Sequence, residues 1–285
     1  MIPEQLNFIS AKGAAMPLFG NPYFDLTDVD GFTTIASNLA SVTVPSVDGD
    51  IITNIQAQPR TVVLYLRLKQ YAGIEAAKRY IFQYVKPKIS GTMQLTQDGR
   101  EIELTGLVEA IELPRMEQGC TMAITLHCSQ PYWSDVDFVV EMISQIINLH
   151  YFPIDQGGLA FPPAGVPFGA FDNDLTRTIE NAGDVETGCV ITIVALGSVV
   201  NPRIWNNQTG EFIGITDTLA GNDNVVISTI KGQKTITKNG VNIIDKITAG
   251  STFLQIETGQ NEFTISADSG LSNVYFTLTY KQLYV

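Results

Sequence analysis

Few side chains in this 285-residue sequence are equipped for chemistry. It has 2 histidines, His127 and His150, and 3 cysteines, Cys120, Cys128 and Cys189. Cys120, His127, Cys128 and His150 are the only plausible zinc set. Structural zinc takes ligand pairs about two to four residues apart, so that one turn presents both. Cys120 and Cys128 lie 8 positions apart, and alternation through CTMAITLHC sends His127 and Cys128 to opposite faces of a strand. Ordinary strand residues are expected there, with no metal. An odd cysteine count without framework spacing fits a reducing compartment and no disulfides. The segment DLTDVDGF looks calcium-like until Gly31 is set at the sixth position of an EF-hand loop. Leu26 then falls at the first position and Ser37 at the twelfth, where oxygen ligands are needed. Asp28, Asp30 and Gly31 therefore read as a turn, and Asp48-Gly49-Asp50 as solvated loop carboxylates.

The sequence has no G-x-G-x-x-G, no G-x-x-x-x-G-K-[ST] and no G-x-S-x-G, so neither a phosphate-cradling loop nor a hydrolase elbow is expected. With two histidines, general-base catalysis has little to draw on. Neither an enzyme nor a cofactor is expected. The Asn207-Gln208-Thr209 sequon carries little weight, because MIPEQLNFISAKGAAMPL lacks the basic and apolar regions of a secretory signal. No apolar run of about 18 residues offers a membrane span.

Charge narrows the partners. Lys and Arg number 17 against 29 Asp and Glu, a net charge of −12. Residues 1–175 carry 10 basic and 19 acidic side chains, and residues 176–285 carry 7 and 10. Such a chain repels phosphate, so specific nucleic-acid binding is not expected, although DNA could slide past without sticking.

The elements that hold these residues divide the chain. TVVLYLRLK (61–69) alternates Val63, Tyr65 and Arg67 with Val62, Leu64, Leu66 and Leu68, the pattern of a half-buried strand. In YAGIEAAKRYIFQYV, Ile74, Ala77, Ile81 and Val85 form one helical stripe, and Pro87 stops it. MQLTQDGREIEL reads as a hairpin turning at Asp98-Gly99. Residues 138–149 fit either a second helix or a strand. An α+β domain, mostly antiparallel β with one helix, is expected over 1–150, and a linker rich in Pro, Gly and aromatics over 151–171. Val, Ile and Thr fill 40 of the 110 positions in 176–285. Short runs there are separated by turns such as Asn239-Gly240. An all-β sandwich over 172–285 is expected.

Several segments, in order, resemble the distal tail proteins of long-tailed phages. They include FDLTDVDGF, DGDIITN, PRTVVLYLRL, ISGTMQLTQDGREIELTGLVEAIEL and CSQPYWSD. NAGDVETGCVITI, NPRIWNNQTGEFIGI, KTITKNGVNIIDKI, GSTFLQIETGQNEFTISADSG and YFTLTY continue the likeness. The resemblance implies a ring-forming N-terminal domain and a galectin-like C-terminal sandwich. It implies a homohexameric hub, structural rather than catalytic, at the virion tail tip and assembled in the host cytoplasm. Its partners would be the tail tube protein, a tip, fibre or tail-associated lysin protein, and a receptor-binding protein. In such a ring some of Asp25, Asp28, Asp48 and Asp50 are expected to face the channel, and Arg60, Arg67 and Arg100 to meet neighbouring subunits. The alternative is a carbohydrate-binding module in which a sugar stacks on Trp205. Asn201-Pro202-Arg203 resembles a galectin segment, yet Val199 stands where galectins place a histidine.

Overall fold

The computed structural model describes residues 4–45, 48–69, 73–113, 120–143, 146–148, 169–171 and 175–285. His150 and residues 151–168 of the expected linker lie outside them. The chain forms two compact units, Met1–Val136 with Leu283–Val285, and Asp137–Gln282.

The first unit is mostly antiparallel β with one helix. Its strands are β1 (Gln5–Ser10), β2 (Ala15–Pro17), β3 (Phe24–Asp30), β4 (Ser37–Val42), β5 (Ile51–Ala57) and β6 (Arg60–Leu68). Helix α1 (Ile74–Tyr84) follows, then β7 (Ser90–Gln97), β8 (Arg100–Glu112), β9 (Thr121–Cys128) and β10 (Trp133–Asp135). The main sheet runs in the order β2-β1-β7-β8-β9-β6-β3, leaving β2 and β3 as its edges.

Period-2 alternation makes this sheet two-faced. Leu6, Phe8, Val62, Leu64, Leu66, Met93, Leu104, Met122, Ile124 and Leu126 are buried on one face. Helix α1 seals that face with Ala77, Ile81 and Val85, the expected stripe, while Ile74 at its start stays exposed. Each such aliphatic side chain, fully buried, contributes about 1.5–3 kcal/mol. Asp98 and Gly99 turn the β7–β8 hairpin at φ 52° and 74°. The opposite face has no layer over it among the described residues.

Among the described residues β4 and β5 pair only with each other, in a register from Ser37↔Ala57 to Val42↔Ile51. They form a separate two-stranded arm inserted between β3 and β6, closed at its root by the Gln58 N–H donating to the Ala36 carbonyl at 2.8 Å. Gly31, at φ 72°, sits at that root. An added Cβ there would lie 2.0 Å from the Thr61 carbonyl oxygen, so the chain can pass only as glycine.

The second unit begins earlier than the expected boundary at 150. The described residues of 138–149 form strands, not a helix: β11 (Val139–Ile143) pairs with a segment far along the chain and is followed by β12 (Ile146–Asn148) and its partner β13 (Gly169–Phe171). Then come β14 (Thr176–Asn181), β15 (Thr187–Ala195), β16 (Val199–Val200), β17 (Arg203–Asn206), β18 (Glu211–Gly214) and β19 (Thr218–Leu219). The rest are β20 (Asn224–Ser228), β21 (Thr235–Lys238), β22 (Val241–Asn242), β23 (Gln255–Ile256), β24 (Gly259–Ser266) and β25 (Val274–Tyr280). One sheet runs β11-β25-β15-β20-β21-β22 and the other β14-β24-β17-β18. Ile191, Ile193, Ile227, Phe276 and Leu278 of the first share a core with Ile179, Ile204, Ile213, Phe263 and Ile265 of the second. The last strand, β26 (Leu283–Tyr284), pairs with β10 of the first unit.

Candidate functional site

The uncovered face of the large sheet is acidic. Asp25 and Asp28 on β3 stand opposite Arg67 and Tyr65 of β6, whose neighbours Leu64, Leu66 and Leu68 point into the core. Glu103 and Glu112 on β8 alternate with core residues and stand opposite Gln94 and Ala123. Thr92 and Thr105 bond each other at 2.9 Å on the same face. Lys69 reaches Asp25 at 2.9 Å and donates to the Asn21 carbonyl at 2.8 Å. The expected acidic group therefore splits. Asp25 and Asp28 belong to this face, while Asp48 and Asp50 are exposed at the far end of the arm. Glu103 and Glu112, not expected from sequence, belong with Asp25 and Asp28, and their alternation with Leu104 and Ile111 was the available signal.

The three arginines occupy three different settings. Arg67 is exposed on the acidic face. Arg100 lies 3.4 Å from Asp135 and places its guanidinium 3.5 Å from the centre of the Tyr284 ring, while the Tyr284 hydroxyl donates to Asp135 at 3.0 Å. It holds β8, β10 and β26 together within its own unit. Arg60 is not on the surface: it is 3% exposed and donates from Nη1 to the Phe32 carbonyl at 2.9 Å, where the arm begins. Its Nε and Nη2 have no partner among the described residues, and burial pulls its pKa below the usual guanidinium value. Arg60 shares parity with Val62 and Leu64, so alternation drives it inward at the first position of β6.

In the second unit, Trp205 is half-buried on β17, tilted 31° against Phe212 with ring centres 4.5 Å apart. Its neighbours on that face satisfy one another. The Trp205 indole donates to Ser266 at 3.0 Å, Asn201 and Arg203 bond Asp268 at 2.6 and 2.9 Å, and Asn207 bonds Glu262 and Thr264. Bonds to Asn201 and Arg203 hold the Asp268 carboxyl below its ordinary value. A sugar would have to break these pairs to make its own.

The cysteine and histidine positions do not converge. His127 is exposed on the open face and Cys128 is fully buried on the other, its thiol pushed up to about 11 by burial. Among the described residues no three His, Cys, Asp or Glu side chains are grouped to hold a metal.

Residues 182–284 match the siphovirus-type tail component, C-terminal domain. This segment is similar to the siphovirus-type tail components. The whole chain also has the fold of a solved relative, the Dit (gp 19.1) protein of phage SPP1, described as a paradigm of the hub adsorption apparatus in phages infecting Gram-positive bacteria. The two align with a TM-score of 0.67 at 12% identity, covering 98% of this chain and 99% of that one. The phage P2 baseplate, in its activated conformation with Ca, aligns with a TM-score of 0.50 at 11% identity, covering 98% of each chain. At these identities the structural likeness is one of fold. Among curated proteins, none matches in sequence.

Proposed function

We propose that this protein is the distal tail hub of a phage or prophage particle. In this reading it assembles as a homohexameric ring that connects the tail tube to the tail tip, fibre or lysin protein. The single observation that carries the reading is the alignment with the Dit hub fold over 98% of this chain. The family match over residues 182–284 supports it independently.

The geometry suits the role. A ring built from one kind of chain needs two different surfaces on each subunit, one complementary to the other. The large sheet supplies two distinct edges, β2 and β3. Its open acidic face, with Asp25, Asp28, Glu103 and Glu112, is the channel wall of this reading, repelling the phosphates of a passing genome. The C-terminal unit, two sheets around one core, is the galectin-like sandwich, available to a receptor-binding protein. Its function is structural. A glycan-binding role is weaker, because the polar groups around Trp205 are already bonded to one another. The protein would then reside at the virion tail tip after assembly in the host cytoplasm.

Electron microscopy of the purified chain, alone and mixed with the tail tube protein, tests this. Closed six-fold rings, free or capping tubes, are the expected result. A chain that forms no closed oligomer under either condition, or that turns over a substrate, overturns it.

A further inference from the structure

Of all the asparagines in the sequence, only Asn239 is followed by a glycine. Asparagine is one of the thermolabile side chains, and its amide reacts most readily where no side chain shields the next backbone nitrogen. Gly240 leaves that nitrogen open: the residue is exposed, and an added Cβ would meet nothing within 4 Å. The reaction available is deamidation. The Gly240 nitrogen forms a bond to Asn239 Cγ, the Cγ–Nδ2 bond breaks, and ammonia leaves with the proton that the backbone nitrogen gave up. Water then opens the cyclic imide at one carbonyl to give aspartate, or at the other to give isoaspartate. One water enters and one ammonia departs, with no oxidant or reductant.

The folded turn withholds this step. Asn239 at φ 50° and Gly240 at φ 81° form the tight turn between β21 and β22, closed by the pair Lys238↔Val241. The Asn239 N–H donates to the Asn224 carbonyl at 2.8 Å, and the Asn224 N–H donates back to Asn239 Oδ1 at 2.9 Å. Asn239 Nδ2 donates to Asp223 at 2.8 Å. Both ends of the amide are therefore held at the start of β20. Cγ cannot swing onto the Gly240 nitrogen until these bonds break.

The product does not fit the same place. Lys238 reaches Asp217 and Asp223 at 3.1 and 3.0 Å, and Lys246 reaches Asp217 at 3.1 Å, so two ammonium groups answer two carboxylates. A third carboxylate at position 239 sets an acceptor and a like charge against Asp223, where Nδ2 now donates. Isoaspartate lengthens the backbone of a two-residue turn that has no slack for it.

We propose that Asn239 is a deamidation site that the folded turn keeps closed, and that opening of the turn converts it into a carboxylate that bars the turn from closing as before. Modification of the open form then makes local unfolding irreversible. The site lies wholly within the second unit and stands apart from the hub reading.

The test incubates the full chain in mildly alkaline buffer, folded and in urea, and follows the Asn239 peptide by mass spectrometry. The mass gain of amide-to-acid conversion should accumulate about a hundredfold more slowly in the folded chain, since only locally opened molecules react. Asp223→Ala removes the Nδ2 acceptor and should raise the folded-state rate about tenfold, as expected for one hydrogen bond to a charged group. Asn239→Asp reproduces the product side chain and should lower Tm. Adding Asp223→Asn to it restores a donor opposite the carboxylate and should recover most of that loss. If Asp223→Ala does not fold, the folded-against-urea rates and the paired variants still decide. Equal rates in folded and unfolded chain overturn the protection. An Asn239→Asp variant that melts with the unmodified chain overturns the trap.

Discussion

Leu39 and Ile55 stand directly opposite each other across the arm, and both are more than half exposed, at 57% and 62%. Elsewhere in the first unit, most aliphatic strand residues alternate into the core, Leu107 on β8 being an exception. Among the described residues nothing covers the exposed parts of these two side chains. Replacing both with serine should therefore leave the fold's stability within about 0.5 kcal/mol, as for surface sites that make no buried contacts. The double variant should also bind less of a dye that reports exposed apolar surface. Thermal melts and dye fluorescence read both quantities. A large drop in Tm would mean that the arm packs against its own unit.

Acid should loosen the second unit through one carboxylate. The Ala220 N–H, the Asn239 amide and the Lys238 ammonium together hold the Asp223 carboxyl at about 2. In the unfolded chain the same group returns to about 3.9. A carboxyl depressed on folding stabilises the fold above its unfolded value, and that contribution is lost as pH falls through the folded value. The window is therefore from about pH 4 down to about pH 2. Melting curves of the unmodified chain and of Asp223→Asn should differ most at neutral pH and converge at the bottom of this window. A constant difference down to pH 2 would show that the carboxylate's charge contributes nothing.

How much of this was legible depends on how local the deciding interaction is. Helix α1 and the strand β6 are visible in sequence because their stripes lie within one turn or one alternation of themselves. The Asp98-Gly99 and Asn239-Gly240 turns are visible for the same reason, and each takes positive φ at both residues. Residues 138–149 stayed ambiguous because the partner that makes Val139–Ile143 a strand is β25, at Val274–Tyr280. The unit boundary moved with that pairing. The acidic face was half visible: Asp25 and Asp28 cluster in sequence, whereas Glu103 and Glu112 join them only through the register of β8 with β7 and β9. The arm's lack of Lys, Arg and Glu was readable, but its isolation from other strands depends on tertiary pairing.

Trp205 offers a direct measure of the glycan alternative. Its indole N–H is bonded to Ser266 and its ring packs on Phe212, so a sugar finds no free donor there. Titration with neutral and N-acetylated monosaccharides up to about 10 mM, a range that reaches affinities weaker than about −4 kcal/mol, should leave tryptophan emission unchanged. Trp133 is the chain's second tryptophan and is only 4% exposed in the core, so it serves as an internal reference. A saturable shift that disappears in Trp205→Phe would establish a sugar site.

Arg60 makes the sharpest stability test. It is 3% exposed, bonds the Phe32 carbonyl through one nitrogen and leaves Nε and Nη2 without partners among the described residues. Burying a charge without full pairing costs free energy, and an apolar side chain of similar length in the same space can be neutral or stabilising. Arg60→Met should therefore keep or raise Tm, while Arg60→Ala, which leaves a cavity, should lower stability by about 2–5 kcal/mol. Hydrogen exchange separates the two roles of the side chain. Even in a stable Arg60→Met variant, amides near the arm's root, from Phe32 to Ala36, should exchange faster once the bond to the Phe32 carbonyl is gone. If Arg60→Met destabilises as much as Arg60→Ala, the guanidinium is fully paired in solution and its charge is part of what holds the arm's root.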